Sequence, residues 1–261
     1  GFAMRKSVKQ QLALRVLSTA ALMAMVSSIA TAAFAAEYNV KDGSVEIVAK
    51  DGIQSITQRD DTGAFVKDEK GAIDHRQDDD IILTTKNKDT GETETTSNTV
   101  TITAEEKGDT ANVTLQDVHI ETEGSWNNTG SAPIEIKGNG DTNLELNGDN
   151  TVLSGDSYHA AIEKADKNGT GTLTIKDDKN DDRSDKDKDE NGNAVGRDTG
   201  KLLAGGNYAG AGIGGGSSSN DLADTSNITI KGGEVTARSG YDYSAGIGGG
   251  SNGTAKNIRI E

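Results

Sequence analysis

Asn227-Ile228-Thr229-Ile230-Lys231-Gly232-Gly233-Glu234-Val235-Thr236-Ala237 holds two short alternating segments on either side of a Gly pair. In an extended chain successive side chains point to opposite sides. Ile228 and Ile230 therefore share one side and Thr229 takes the other. The first half of this stretch recurs. Asn112-Val113-Thr114-Leu115, Asn143-Leu144-Glu145-Leu146, Thr172-Leu173-Thr174-Ile175 and Asn257-Ile258-Arg259-Ile260 all read polar, apolar, polar, apolar. In chain order the five strings begin 31, 29, 55 and 30 residues apart. A fixed period of about 30 residues is the mark of a solenoid.

Two further strings share the period. One precedes the Asn string: Ala132-Pro133-Ile134-Glu135, Ala160-Ala161-Ile162-Glu163, Gly210-Ala211-Gly212-Ile213-Gly214-Gly215-Gly216 and Ser244-Ala245-Gly246-Ile247-Gly248-Gly249-Gly250. The other follows it: Val118-His119-Ile120, Thr151-Val152-Leu153, Leu202-Leu203-Ala204 and Glu234-Val235-Thr236-Ala237. Three short strands per repeat predict an all-β fold, a right-handed parallel β-helix (β-solenoid) with three strands per coil. Aligning the strings sets Leu173 on Leu144 and Ile175 on Leu146, in continuous aliphatic columns. The Asn residues at 112, 143, 227 and 257 are then expected as an internal or turn-lining ladder. An immunoglobulin-like sandwich also has short strands with turns between them. It gives no reason for four Asn at one repeat position.

Composition agrees with stacked rungs. Aromatic residues are only 3% of the chain, and 33 of 261 residues are Gly. A compact enzyme of this length usually holds more large apolar residues. Solenoid coils need only a few aliphatics each. There is no Cys, which excludes disulfides and thiolate metal sites.

The first 35 residues read as a secretory signal. Arg5, Lys6, Lys9 and Arg15 form a basic start, Val16 to Thr31 is apolar, and Ala33-Phe34-Ala35 supplies small residues before a cleavage point at Ala36. The alternative is an uncleaved anchor, but the apolar stretch is short against the roughly 20 residues a bilayer needs. Gly1-Phe2-Ala3, ahead of Met4, is no part of that signal. Residues 36–97 are expected to be lead-in rungs or an N-terminal cap, with strands at Ser44–Val48 and Ile81–Thr84 and a charged loop from Asp60 to Asp80. Residues 98–261 form the repeats, with an acidic insertion at 177–198. The strand pattern is still running at Glu261, so the chain is expected to be a piece of a longer protein.

The net charge is −15, and without the four positive charges of residues 1–35 the remainder carries −19. Such a surface disfavours nucleic acid and anionic lipid as partners. It suits an exported protein and leaves divalent cations as an option.

The joint repeat resembles bacterial surface proteins that contain carbohydrate-binding domains with Gly-rich repeats. The matching residues are Asn112-Val113-Thr114-Leu115-Gln116-Asp117-Val118, Tyr158-His159-Ala160-Ala161-Ile162-Glu163-Lys164, and Gly210–Gly216 with Asn227–Ala237. The similarity spans about residues 98–261. It implies a pectate-lyase-like β-helix without an obvious lyase site, located at the bacterial cell surface. It also implies a role in binding acidic polysaccharide with calcium, or in adhesion. The likeness lies in scaffold motifs, so it transfers no binding residue.

Within the acidic insertion, Asp187, Asp189, Asn191, Asn193 and Asp198, with Gly192 at the turn, follow the oxygen spacing of a 12-residue calcium loop. Asp replaces the usual final Glu, no helices flank the loop, and a solvated acidic loop is the plainer reading. Glu135 and Glu163 occupy one outward position in adjacent rungs. They would share a cation, act as an acid and nucleophile pair, or end a ladder in water. Gly210 to Gly215 matches a dinucleotide fingerprint by letter only, since no helix follows and the stretch recurs at Ser244–Gly250. His75, His119 and His159 lack metal or triad spacing. Trp126, Tyr241 and Tyr243 fall in turns, where rings either stack on sugars or pack on the solenoid edge.

These features predict a secreted, non-enzymatic binding or adhesion module for polysaccharide. A polysaccharide lyase or glycoside hydrolase on the same scaffold is the second expectation, although rung Arg and Lys are few and the available Arg238 and Arg259 have no acidic cluster at matching rung height. A structural surface stalk is the third.

Overall fold

The computed structural model describes residues 36–126, 129–178, 191, 199–241 and 243–261. The secretory signal expected in residues 1–35 lies outside them. The unit Glu37–Glu261 is a parallel β-helix with three strands per coil. No helix among the described residues is long and apolar enough to cross a membrane.

The Asn-bearing strands make the first face, of seven strands, through Thr110–Gln116, Asp141–Asn147, Leu173–Lys176, Thr225–Ile230 and Ala255–Ile260. A second face is made of Thr95–Thr96, which follows the first-face strand Ile81–Thr84, and of His119–Glu121, Asp149–Leu153, Lys201–Gly205 and Glu234–Arg238, each of which follows one of the strands above. The chain then passes to the third face, where Ser44–Lys50, Val100–Ala104, Ile134–Lys137, Ile162–Glu163, Ile213–Gly214 and Ile247–Gly248 pair in parallel. Three corners per coil separate the faces.

Inward positions stack residue on residue. Val45, Val100, Ile134, Ile162, Ile213 and Ile247 form one column on the third face. Ile120, Val152, Ala204 and Ala237 form one on the second. On the first face Ile81, Val113, Leu144, Ile175, Ile230 and Ile260 line up. Most of these side chains are fully buried. Each such side chain gains roughly 1.5–3 kcal/mol on leaving water.

One register differs from the string alignment. Leu144 stacks on Ile175, and Leu173 stacks on Thr142. The strand has slipped by two residues relative to the reading that set Leu173 on Leu144. Side chains alternate with period two, so a slip of two returns the same residues to the interior. The hydrophobic pattern therefore does not distinguish the two registers.

The slip also divides the expected Asn ladder. Asn143 Nδ2 donates to Asn112 Oδ1 at 2.9 Å, and Asn257 Nδ2 donates to Asn227 Oδ1 at 2.8 Å. Between these pairs Asn143 aligns with Thr174, while Asn227 turns to the Gly169 carbonyl. Neither pair is inside the coil; Asn112 and Asn257 are exposed.

The first coil carries a protective hairpin. Ile53–Arg59 returns antiparallel along Ser44–Lys50 through Asp51-Gly52, both with positive φ, and Arg76–Gln77 pairs with its outer edge. Asp-Gly suits the two-residue turn that matches strand twist. Lys67–Asp68 and Gly71–Ala72 add a small hairpin within the segment expected to be loop. Ile81–Thr84 covers only Val113 to Leu115 of the longer strand beneath it. The uncovered Asn112 backbone is met by the buried Gln54 amide, which accepts from Asn112 N at 2.7 Å and donates to its carbonyl at 3.1 Å. A side chain thus takes the place of a missing strand at an open edge.

The register is testable because the native chain has no Cys. Asn143→Cys with Thr174→Cys should oxidise to a disulfide, since register partners lie about 4.8 Å apart. Asn143→Cys with Thr172→Cys, about 8 Å apart by strand geometry, should not, as judged by non-reducing electrophoresis. The reverse outcome would restore the sequence alignment. Thr142, between Ala111 and Leu173, has a buried hydroxyl without a hydrogen bond. Thr142→Val should raise stability by about 1 kcal/mol in denaturant unfolding.

Candidate functional site

Glu135 and Glu163 are register partners on the third face. Their surroundings differ sharply. Glu163 is 2% exposed. The corner before it folds back because Asp156 Oδ1 accepts from Tyr158 N at 2.7 Å, forming an Asx turn. That turn brings His159 Nδ1 within 3.1 Å of both Glu163 oxygens, and Ala160 N donates to Oε2 at 3.0 Å. In the next coil a Cβ on Gly216 would lie 2.5 Å from the same oxygen, so only Gly leaves the carboxylate its space. Glu135 is half-buried and lies 3.6 Å from Lys137 Nζ. One carboxylate is thus enclosed by its own corner, and the other is paired at the surface. An acid and nucleophile pair needs both groups to reach the sugar.

The column ends at Gly214 and Gly248, with φ of 134° and 139°. Side chains rarely adopt such values. This is why the third-face strand changes from Ile-Glu to Ile-Gly in the last two coils.

Where the third face turns to the first, a groove of about 640 Å³ is lined by Glu135, Lys137, Asn139, Lys164, Asp166 and Lys167 among others. Its charges are mutually engaged. Lys164 is buried and donates to Asp166 Oδ2 at 2.7 Å and to the Ser226 carbonyl at 2.8 Å. Lys167 lies 3.5 Å from Asp224.

The calcium-loop residues Asp187, Asp189, Asn193 and Asp198 lie outside the described residues, and Asn191 is described only as part of a turn. Among the described residues no group of three or more acidic or His side chains is arranged to hold a metal ion. The three histidines stay apart, each beside its own carboxylate: His75 with Asp74, His119 with Glu121 and His159 with Glu163.

Aromatic side chains gather at another corner, between the second and third faces. Trp126 is 71% exposed, Tyr241 and Tyr243 are each 58% exposed, and Tyr208 is 40% exposed. Tyr208 is the centre, 6.1 Å from Trp126 and 5.4 Å from each of Tyr241 and Tyr243, all tilted. The half-buried Tyr158 belongs to the intervening corner. The chain has one Trp and five Tyr, so only Tyr38 lies elsewhere.

The corners stack as rungs do. Ser157 N donates to Ser125 O at 3.1 Å, Ala209 N to Ser157 O at 2.9 Å, and Asn207 Nδ2 to Gly155 O at 2.7 Å. These loops are built of Gly, Ala, Ser and Asn, too small to bury a ring. The interior is already filled by the aliphatic columns. The rings therefore remain outside, touching one another.

Trp126, Tyr241 and Tyr243 stood out in the sequence, and Tyr208 did not. A signal was present: Tyr158, Tyr208 and Tyr243 each precede the third-face Ile by four or five residues.

No protein-family model, curated protein or solved structure matches the chain significantly.

His159 supplies a pH test. Burial alone would push its imidazole down, but the Glu163 hydrogen bond and charge, helped by Asp156 and Glu135, hold it above the ordinary 6.5. The folded state then gains from protonated His159 below about pH 6.5 and loses that gain as pH rises through the raised value. The melting-temperature advantage of the native chain over His159→Gln should shrink as pH rises above about 6.5. A difference that stays constant with pH would show that His159 titrates as it does in water.

Proposed function

We propose that this chain is a secreted bacterial surface module that binds polysaccharide through its aromatic corner. The carrying observation is the group of four exposed rings on one edge of a chain otherwise poor in aromatics. Exposing a contiguous apolar patch leaves favourable burial unused, and such patches mark binding surfaces. A sugar ring offers an apolar C–H face to an aromatic ring and hydroxyls to its rim. Tyr and Trp match that with a flat apolar face and a polar tip. The Gly, Ser and Asn of the corner add backbone and amide hydrogen-bonding groups.

The family reading is consistent with this role. The Gly-rich repeats and the β-helix scaffold support kinship with surface carbohydrate-binding proteins, with adhesion as the cellular outcome. The signal-like residues 1–35 support export. Binding ranks ahead of cleavage because Glu163 is tied to His159 and Ala160, and Glu135 lies beside Lys137. Calcium assistance from the acidic insertion rests on the spacing Asp187, Asp189, Asn191, Asn193 and Asp198 alone.

Affinity electrophoresis of the full chain through a polysaccharide panel tests the reading. At least one glycan should retard the native chain. Trp126→Ala and Tyr208→Ala should each weaken retardation by about fivefold to tenfold, roughly 1–1.4 kcal/mol, without lowering the melting temperature. Equal retardation of the variants and the native chain would remove the aromatic corner from the account.

A further inference from the structure

We infer that the aromatic corner selects linear glycans of uncharged sugars, laid along the helix axis, and rejects polyuronates. This rests on the reading of the corner as a glycan site and adds its substrate class. Four successive corners build the surface: residues 122–126 with 129–133, 154–161, 206–212, and 239–241 with 243–246. Their described residues contain no Lys and no Arg, but they contain Glu123 and Asp156. A site for a polyanion needs cationic donors, and Arg is the usual bidentate partner of a carboxylate. The corners supply neither Lys nor Arg, and their one basic side chain, His159, is already engaged by Glu163. Arg238, just before the last corner, runs along the second face instead, where a Cβ on Gly205 would lie 3.3 Å from its Nε.

A buried charge adds to the selection. Asp156 is fully buried, and its Oδ1 accepts from Tyr158 N. Its Oδ2 has no hydrogen-bond donor and lies where a Cβ on Gly130 would be 2.2 Å away. Charge in a low-dielectric setting is weakly screened. With the −15 of the whole chain, an ionised Asp156 would make the potential under the rings negative. Uronate groups would be repelled. Hydroxyl-bearing neutral rings lose nothing to that potential and still gain the stacking faces.

The orientation follows from the stacking. The four corners lie one above another, three steps of about 4.8 Å each. Ring centroids at 6.1 and 5.4 Å connect Trp126 through Tyr208 to Tyr241 and Tyr243. A disaccharide would cover only part of this surface, whereas a longer oligomer would meet every ring.

The test is isothermal titration of the full chain with neutral hexasaccharides of glucan, mannan, xylan and galactan type, their disaccharides, and oligogalacturonate. The expected result is binding of at least one neutral hexamer, at least tenfold tighter than its dimer and little changed between 50 and 500 mM salt. Trp126→Ala and Tyr208→Ala should weaken it, and Arg238→Gln should not. Aromatic-dependent binding of oligogalacturonate, weakened by salt or by Arg238→Gln, would overturn the selectivity while leaving the corner as a glycan site. Binding of no glycan would remove the site itself. So would concentration-dependent dimerisation abolished by Trp126→Ala, which would assign the rings to a second copy of the chain.

Discussion

In-register stacking of one rung on the next is the interaction everything else depends on. A single coil buries nothing by itself, because its apolar side chains need a coil above and below. The column from Val45 to Ile247 shows the requirement. With no Cys available, no disulfide ties one coil to the next. Cohesion comes from aliphatic burial, parallel backbone ladders and Asn pairs such as Asn112 with Asn143. The first rung is where this logic fails, since no rung precedes it among the described residues. The Asp51-Gly52 hairpin and the Gln54 amide meet that deficit locally.

Stacking also determines where function can reside. The faces are committed to pairing, and inward positions to packing. Corners are free to vary in length and chemistry, as loops on a rigid scaffold generally are. Here two kinds of corner have diverged. One gathers Lys164, Asp166 and Lys167 into a groove whose charges largely neutralise one another. The other gathers Trp126, Tyr208, Tyr241 and Tyr243 into a patch that neutralises nothing and buries little.

Much of the fold was legible because solenoid repeats write the same local physics many times. The Asn string, the Ile-Glu or Ile-Gly string and the third alternating string correspond to the three faces. The two-residue slip at Leu144 and Ile175 was not legible, since both registers bury the same side chains. Glu163 illustrates a second limit. Alternation placed it outside, but the Asx turn at Asp156 that closes over it depends on a corner four or more residues away. The hairpin at Asp51-Gly52 had a readable turn signal, masked by the charged residues that follow. The site was half legible: a lone Tyr in a turn says little, and only stacking shows that Tyr208 sits between Trp126 and the Tyr241/Tyr243 pair.

The tolerance of the first face to a shift of two residues has a consequence for how such a gene can change. Small in-frame insertions or losses at a corner can be absorbed by sliding one strand along its neighbour, with the interior left intact. Copies of an ancestral repeat can then drift to unequal lengths, as the intervals of 31, 29, 55 and 30 residues suggest, without passing through an unfolded intermediate. Corner chemistry becomes an open field for mutation, whereas a truncated side chain in a column leaves a cavity. Such a gene can acquire a new surface one loop at a time.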